Sequence, residues 1–313
     1  MINPLASAAG GAQWRTLTLF ELLAERTDVQ LWTEREPDPW LLGRYPIRRI
    51  VPPQIPTGGN IVFVGAYFRI GNWVRHANAK RIILIFNSHL VSDLRNCLEG
   101  FAKIGRSDVE VAFASEGIRR QVGDIQGPIH VSPVNQARFR LRPQRSETFT
   151  VGRMGRDDWS KHHPDDPAFF QAMLDRGYRV RIMGCEASTW GLPAHPNLEL
   201  LALNQEPPED FLNTLHAYHF RGHPDWYETF GRVNLEALCC GVPVVAEARH
   251  GYTDYLQNGR GGYLYETSEQ ALDQIDSLSH PEIWTNQSRL AIEAANEALD
   301  TARIEEILDF YSR

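Results

Sequence analysis

The feature that most constrains this chain is the unbroken apolar run Ile82-Ile83-Leu84-Ile85-Phe86, followed within a few residues by a helical pattern. A strand that is apolar on both faces must be covered on both, which is the situation of a parallel sheet in a layered α/β fold. The pattern recurs along the first half. Residues 29–33, 61–64, 81–86 and 109–114 read as strands, with helical patterns over 14–26, 70–77 and 92–104. It restarts further on. Residues 148–151, 179–183 and 198–203 read as strands, and 167–176 as a helix closed by Gly177. Residues 207–218 read as a helix. So do 233–240, stopped by Gly241 and Pro243, before a strand over 242–246. Ile304, Ile307, Leu308 and Tyr311 share one face of a last helix. The expectation is an α/β protein of two doubly wound domains, with ligands at the carboxyl ends of the strands.

Size agrees: 313 residues suit about two domains. We expect a first domain over 1–143, a second over 144–298, and a terminal helix over 299–313 packing back on the first. A hydrophobic share of 42% and a charged share of 23% exclude disordered, collagenous and coiled-coil chains. The four cysteines form no C-x-x-C pair, which argues against a disulfide framework or a zinc ribbon. No signal peptide is evident and no apolar window approaches the ~18 residues of a membrane span, so the expected location is cytoplasmic. A net charge of -7 argues against a nucleic-acid binder. Residues 1–145 carry net +7 and residues 146–313 net -14. That asymmetry raises the expectation of peripheral membrane contact through a basic N-terminal domain. The cluster Arg138, Arg140, Arg142 and Arg145 reads as a solvated interdomain linker.

The chemistry concentrates between residues 226 and 262. Glu228 falls in a loop and Glu236 inside the following helix, eight residues apart. Gly231 allows the backbone to come close to a ligand, and the free N–H groups of the helix start suit a phosphate. Glu236 and Glu228 could each accept hydrogen bonds from sugar hydroxyls. Two glutamates flanking an anion site fit a molecule built as sugar, diphosphate and sugar.

The run ETFGRVNLEALCCGVPVVAEARHGYTDYLQNGRGGYL resembles the donor-site segment of retaining GT-B glycosyltransferases of the E-x7-E type. Glu228 and Glu236 match the two glutamates. Gly241, Pro243, Val244 and Val245 match the helix-to-strand turn, and Gly251, Asp254, Gly259 and Gly262 the later loop. The resemblance implies two Rossmann-like domains facing each other across a cleft, and transfer of a sugar from a nucleoside-diphosphate sugar, UDP- or GDP-linked, to an acceptor hydroxyl with retention. It implies that Glu236 binds the ribose and Glu228 the sugar hydroxyls, bordered by Phe230, Gly231, Arg232 and Val233. Residues 203–205, with Asn204 at their centre, would meet the base. An Arg after Gly152 and a nearby Lys contact the diphosphate in this family. Here Lys161 is that Lys, and either Arg153 or Arg156 the Arg. Fixed cations there stabilise the charge of the leaving phosphate. The Gly10-Gly11 pair resembles the family's N-terminal glycine loop, preceded here by a short or displaced first strand within residues 1–5. His89 matches a His often found near the reaction centre.

The resemblance covers the second half well and the first only in architecture. It implies no cofactor and no metal. The acceptor would be a glycan, a lipid-linked molecule or a small molecule, in cell-surface polysaccharide or glycolipid synthesis. A nucleotide-sugar epimerase on the same fold and a non-catalytic nucleotide-sugar binder are the alternatives. His216, His219 and His223 invite a zinc reading, but a change from helix to strand between them would separate them. Asp157-Asp158 and Asp165-Asp166 sit beside cations rather than after a strand, unlike metal-binding carboxylates. No P-loop and no G-x-S-x-G elbow is present.

Overall fold

The computed structural model describes residues 1–66, 71–142, 146–185 and 191–313. The chain divides into two units: Met1–Pro133 with Asp300–Arg313, and Val134–Leu299.

The first unit runs α1 (Gly11–Ala24), β1 (Leu31–Thr33), α2 (Pro39–Leu42), β2 (Ile47–Arg49), β3 (Asn60–Val64), β4 (Arg81–Phe86), α3 (Val91–Lys103), β5 (Glu110–Phe113) and α4 (Glu116–Val122). β1 pairs with β2, and β3, β4 and β5 pair in sequence, all parallel. One residue joins the two sheets. Ile2 bridges Trp32 and Phe63, parallel to both, with its N–H on the Val62 carbonyl at 2.8 Å and its carbonyl taking the Val64 N–H at 2.9 Å. The spatial order is therefore β2, β1, Ile2, β3, β4, β5, which reverses direction beside Ile2 as in a dinucleotide-binding unit. The first strand is as short as a strand can be. Met1, Ile2, Asn3 and Leu5 are all buried around it. Of the helix expected over 70–77, residue 70 lies outside the described residues, and Asn72–His76 forms a 3-10 turn.

The terminal helix (Thr301–Ser312) belongs to this unit. Tyr311 Oη lies 2.8 Å from His130 Nδ1, and Arg81 donates to the Phe310 carbonyl at 2.8 Å. Burial, aided by the Arg15 charge, pushes His130 down to about 3, so it stays neutral.

The second unit runs β6 (Thr150–Met154), α5 (Asp166–Asp175), β7 (Arg179–Met183), β8 (Leu198–Leu201), α6 (Pro208–Asn213), β9 (Ala217–Phe220), α7 (Arg232–Cys239), β10 (Val244–Glu247), β11 (Gly262–Tyr265), α8 (Ser268–Leu278) and α9 (Pro281–Ala298). Its six strands are parallel in the order β11-β10-β9-β6-β7-β8. The order reverses between β6 and β9, so those two strands aim their carboxyl ends at the expected ligand crevice. Phe170, Met173, Val180, Val245 and Ile275 are among the residues that fill the core beneath.

The structure corrects three further readings. The helix expected over 207–218 stops at Asn213, and Ala217–Phe220 is a central strand. Its polar side chains are satisfied by distant partners. Tyr218 Oη lies 2.9 Å from the Met154 carbonyl, and His219 Nε2 lies 2.9 Å from Tyr265 Oη. A local pattern cannot show such bonds. The basic domain also dissolves. The first unit holds 17 Lys and Arg against 16 Asp and Glu, and the second 15 against 23. The arginine cluster lies in the second unit. Arg138 pairs with Glu209 at 2.8 Å, Arg142 pairs with Asp210, and the Arg142 N–H bonds Asn213 Oδ1 at 2.7 Å. Those arginines are docked on α6 rather than forming a solvated linker, while Arg145 lies outside the described residues. The strongly basic first domain that motivated membrane contact is thus a property of the sequence halves; the folded units carry net charges of +1 and -8. No helix among the described residues is long and apolar enough to cross a membrane.

Candidate functional site

The loop after β6 is held from two sides. The Gly155 N–H bonds the Met183 carbonyl at 3.1 Å, and Tyr218 Oη meets both the N–H and the carbonyl of Met154. Gly184 sits against this loop at φ +81°, where a Cβ would fall 1.7 Å from the Gly155 carbonyl oxygen, so only glycine fits. The chain then turns through Trp159–Lys161, a 3-10 turn whose start is capped by Asp158 accepting from the Ser160 N–H at 3.0 Å. This turn delivers Lys161 to Glu228, and the two form an ion pair with each side chain 18% exposed. Lys161 Nζ also stands 5.7 Å from the Trp226 ring centre. Burial alone would raise the Glu228 pKa. The Lys161 ammonium and its hydrogen bond outweigh that, with help from His250 and the Gly231 N–H, so the carboxyl titrates below its ordinary range.

The backbone of Glu228 is itself clamped. Its N–H bonds His250 Nδ1 at 3.1 Å, and its carbonyl accepts from the Gly251 N–H at 2.9 Å. Three residues on, Gly231 takes the left-handed conformation (φ +69°, ψ +50°) and starts α7. A Cβ there would lie 2.8 Å from the Tyr252 ring. Tyr255 Oη sits 3.0 and 2.7 Å from the Phe230 and Gly231 carbonyls, fixing the entry to the helix. Phe230 is buried against the Tyr255 ring and Val233 is half-buried.

Glu236 lies one turn into α7, buried, and takes a 2.8 Å hydrogen bond from Arg232 Nε. Burial pushes its pKa up and the Arg232 charge offsets this only in part. Arg232 is therefore engaged with Glu236 rather than standing alone at the helix start.

The two candidate arginines separate. Arg153 is buried within β6, pairs with Asp166 and donates to the Lys161 carbonyl. Asp166 also receives Arg221 at 3.0 Å, so one carboxylate joins two buried guanidinium groups. This corrects the expectation that Arg153 faces the diphosphate: its charge is turned inward and holds the turn that carries Lys161. Arg156, just past the strand end, is exposed and forms no ion pair among the described residues.

Asn204 lies exposed in the turn after the edge strand β8, in a left-handed conformation (φ +58°) that Asn tolerates. Gly11 opens α1 after Gly10, and half-buried His89 follows β4; both belong to the first unit. The structure thus brings Lys161, Glu228, Phe230, Gly231, Arg232, Val233 and Glu236 onto adjoining segments. It sets Asn204 at the sheet edge.

Among the described residues no group of three His, Cys, Asp or Glu is arranged to hold a metal. His219 packs in the core between Phe169 and a stacked Tyr265 ring, and His216 Nδ1 accepts the Thr150 N–H at 3.0 Å. The sequence reading gave no role to His250, Tyr255 or Trp226, and weighed Asp166 only as a metal-binding carboxylate. Only His250, beside the glycine of the later loop, carried a local hint.

Residues 197–297 match the family model for glycosyl transferases group 1. A D-inositol 3-phosphate glycosyltransferase of Geodermatophilus obscurus is 36% identical over 118 residues, 34% of this chain and 25% of that protein. The capsular polysaccharide biosynthesis glycosyltransferase CapM of Staphylococcus aureus is 25% identical over 149 residues, 44% of this chain and 38% of that protein. The matched stretches thus span a quarter to two fifths of these relatives. Anabaena HepE, solved in complex with UDP-glucose, superposes with a TM-score of 0.73 at 12% identity, covering 99% of this chain and 97% of that one. A likeness of that extent shows the fold: it is GT-B.

Proposed function

We propose that the protein is a retaining glycosyltransferase that moves a sugar from a UDP- or GDP-linked donor to an acceptor hydroxyl. The observation that carries this reading is the Lys161–Glu228 ion pair at the carboxyl ends of β6 and β9, beside the glycine-started helix α7. A folded-in cation, a carboxylate and the start of a helix at a sheet reversal suit a diphosphate joined to a sugar. The matched family segment and the named activities of the relatives support the same reading.

In this proposal Lys161 and exposed Arg156 balance the diphosphate, and Glu236 accepts from the ribose hydroxyls. Glu228 orients Lys161 and accepts from the sugar hydroxyls. Asn204 borders the base. The bond from the anomeric carbon to the phosphate oxygen breaks, the acceptor oxygen bonds that carbon on the same face, and the acceptor proton passes to the departing phosphate. Charge that grows on the phosphate is met by fixed cations, which favours the transition state over the bound donor. Gly11 and His89 are the candidate substrate-facing residues of the first unit. The acceptor is a glycan, lipid-linked or small-molecule hydroxyl in surface polysaccharide or glycolipid synthesis, and no cofactor or metal takes part.

A thermal-shift panel of UDP, GDP, ADP and inorganic phosphate, followed by chromatography of UDP- and GDP-sugars incubated with glycan acceptors, tests this reading. The expected result is a rise in melting temperature with one diphosphate and a glycoside product of unchanged anomeric configuration. Isomerised donor without acceptor, or no shift with any nucleotide in a cooperatively melting protein, would overturn it.

A further inference from the structure

His250 has a backbone conformation that only glycine adopts freely. Its φ is +138° and its ψ 170°, so its Cβ sits in a strained position. The side chain is nonetheless buried, 2% exposed, among the rings of Phe220, Tyr227 and Tyr252. A strained, buried, polar residue persists only where the surroundings over-determine it, and such residues gather at functional sites. The contacts say what it does here. Nδ1 accepts the Glu228 N–H at 3.1 Å, and Nε2 faces the Glu247 carboxylate at 3.5 Å, with Arg249 Nε 3.2 Å from the same nitrogen. The next residue, Gly251, donates to the Glu228 carbonyl at 2.9 Å. Both backbone groups of Glu228 therefore end on residues 250 and 251. No other side chain bonds the Glu228 N–H among the described residues.

We propose that His250 is a positioning residue: it accepts strain in its own backbone in order to fix the Glu228 loop so that the carboxylate meets Lys161. The role in turnover rests on the glycosyl-transfer reading, while the clamp itself does not. A glycine at position 250 would relax the backbone but leave the Glu228 N–H without its acceptor. A leucine has the bulk of asparagine without an acceptor, and an asparagine offers Oδ1 in place of Nδ1.

The test compares His250→Leu with His250→Asn, both of which keep a Cβ at the strained position. Two readouts are taken on folded protein: hydrogen exchange of the Glu228 amide, and release of UDP from UDP-glucose with a glycan acceptor. Leucine is expected to speed exchange at Glu228 at least tenfold and to lower kcat at least tenfold, with KM within threefold of the parent. Asparagine is expected to return both to within about threefold. Should the leucine variant not fold, His250→Gly takes its place, with the same expected losses. Equal exchange in the leucine variant and the parent, or equal kcat in the leucine and asparagine variants, overturns the proposal. A parent that turns over no nucleotide sugar, with the exchange pattern as expected, overturns the glycosyl-transfer reading and upholds the clamp.

Discussion

The two units share a strand order yet differ in what their charged residues do. In the first unit the reversal lies beside a one-residue strand, and the buried polar groups Arg15, His130 and Tyr311 serve to seat the terminal helix. In the second unit the reversal lies between two full strands, and the charges gather at their carboxyl ends. There Asp166 gathers Arg153 and Arg221, and Lys161 meets Glu228. The contrast shows that the same topology can hold its buried charge for assembly or for a site. What distinguishes the two is whether the charges stand at the carboxyl ends of the strands that flank the reversal.

The largest expected effect breaks the second unit. Asp166→Ala removes the carboxylate that two guanidinium groups, each 5% exposed, share. Removing one partner of a buried pair costs about 3–5 kcal/mol. Denaturant unfolding checks this. A loss under about 1 kcal/mol would mean that the arginines find other partners and that Lys161 is not held through Arg153.

The first unit is expected to be acid-sensitive through His130. The folded pKa, about 3, lies below the ordinary His value, so the unfolded chain binds the proton first as pH falls. Stability is therefore full above about pH 6.5 and falls by roughly 1.4 kcal/mol per pH unit below it, until the folded pKa is reached. Urea melts of the parent and His130→Gln at pH 7 and pH 5 should show a smaller pH dependence in the variant; equal slopes would remove His130 as the source.

Arg156→Ala sharpens the contrast between inward and outward arginines. It is expected to weaken UDP binding about three- to tenfold, roughly 0.7–1.4 kcal/mol, without changing the melting temperature. A lowered melting temperature with unchanged binding would assign Arg156 a structural role. The smallest effect belongs to the surface. Arg26→Ala, which removes an exposed pair with Glu305, is expected to change stability by less than about 1 kcal/mol. A larger loss would show that this pair, too, seats the terminal helix.

Much of this was legible beforehand, for physical reasons. β4 and β7 have the bounds the sequence predicts; for β4 the reason is that a strand buried on both faces leaves its mark in an unbroken apolar run. The site segment was legible because a glycine-started helix and its stop signals are local chemistry. β9 was not, since Tyr218 and His219 are satisfied by Met154 and Tyr265, 64 and 46 residues away. Nor could spacing say which arginine turns inward, because Asp166 decides that through the fold. His250 stayed hidden because its role lies in a φ angle and one backbone bond.

The central claim is that the second unit binds a nucleoside diphosphate through Lys161. A calorimetric titration of UDP and of GDP into the parent and into Lys161→Ala tests it most directly. The parent is expected to bind one of the two, and the folded variant to bind it at least tenfold more weakly, a loss of about 1.4 kcal/mol or more. Equal affinity in both proteins, or a folded parent that binds neither nucleotide, would contradict it.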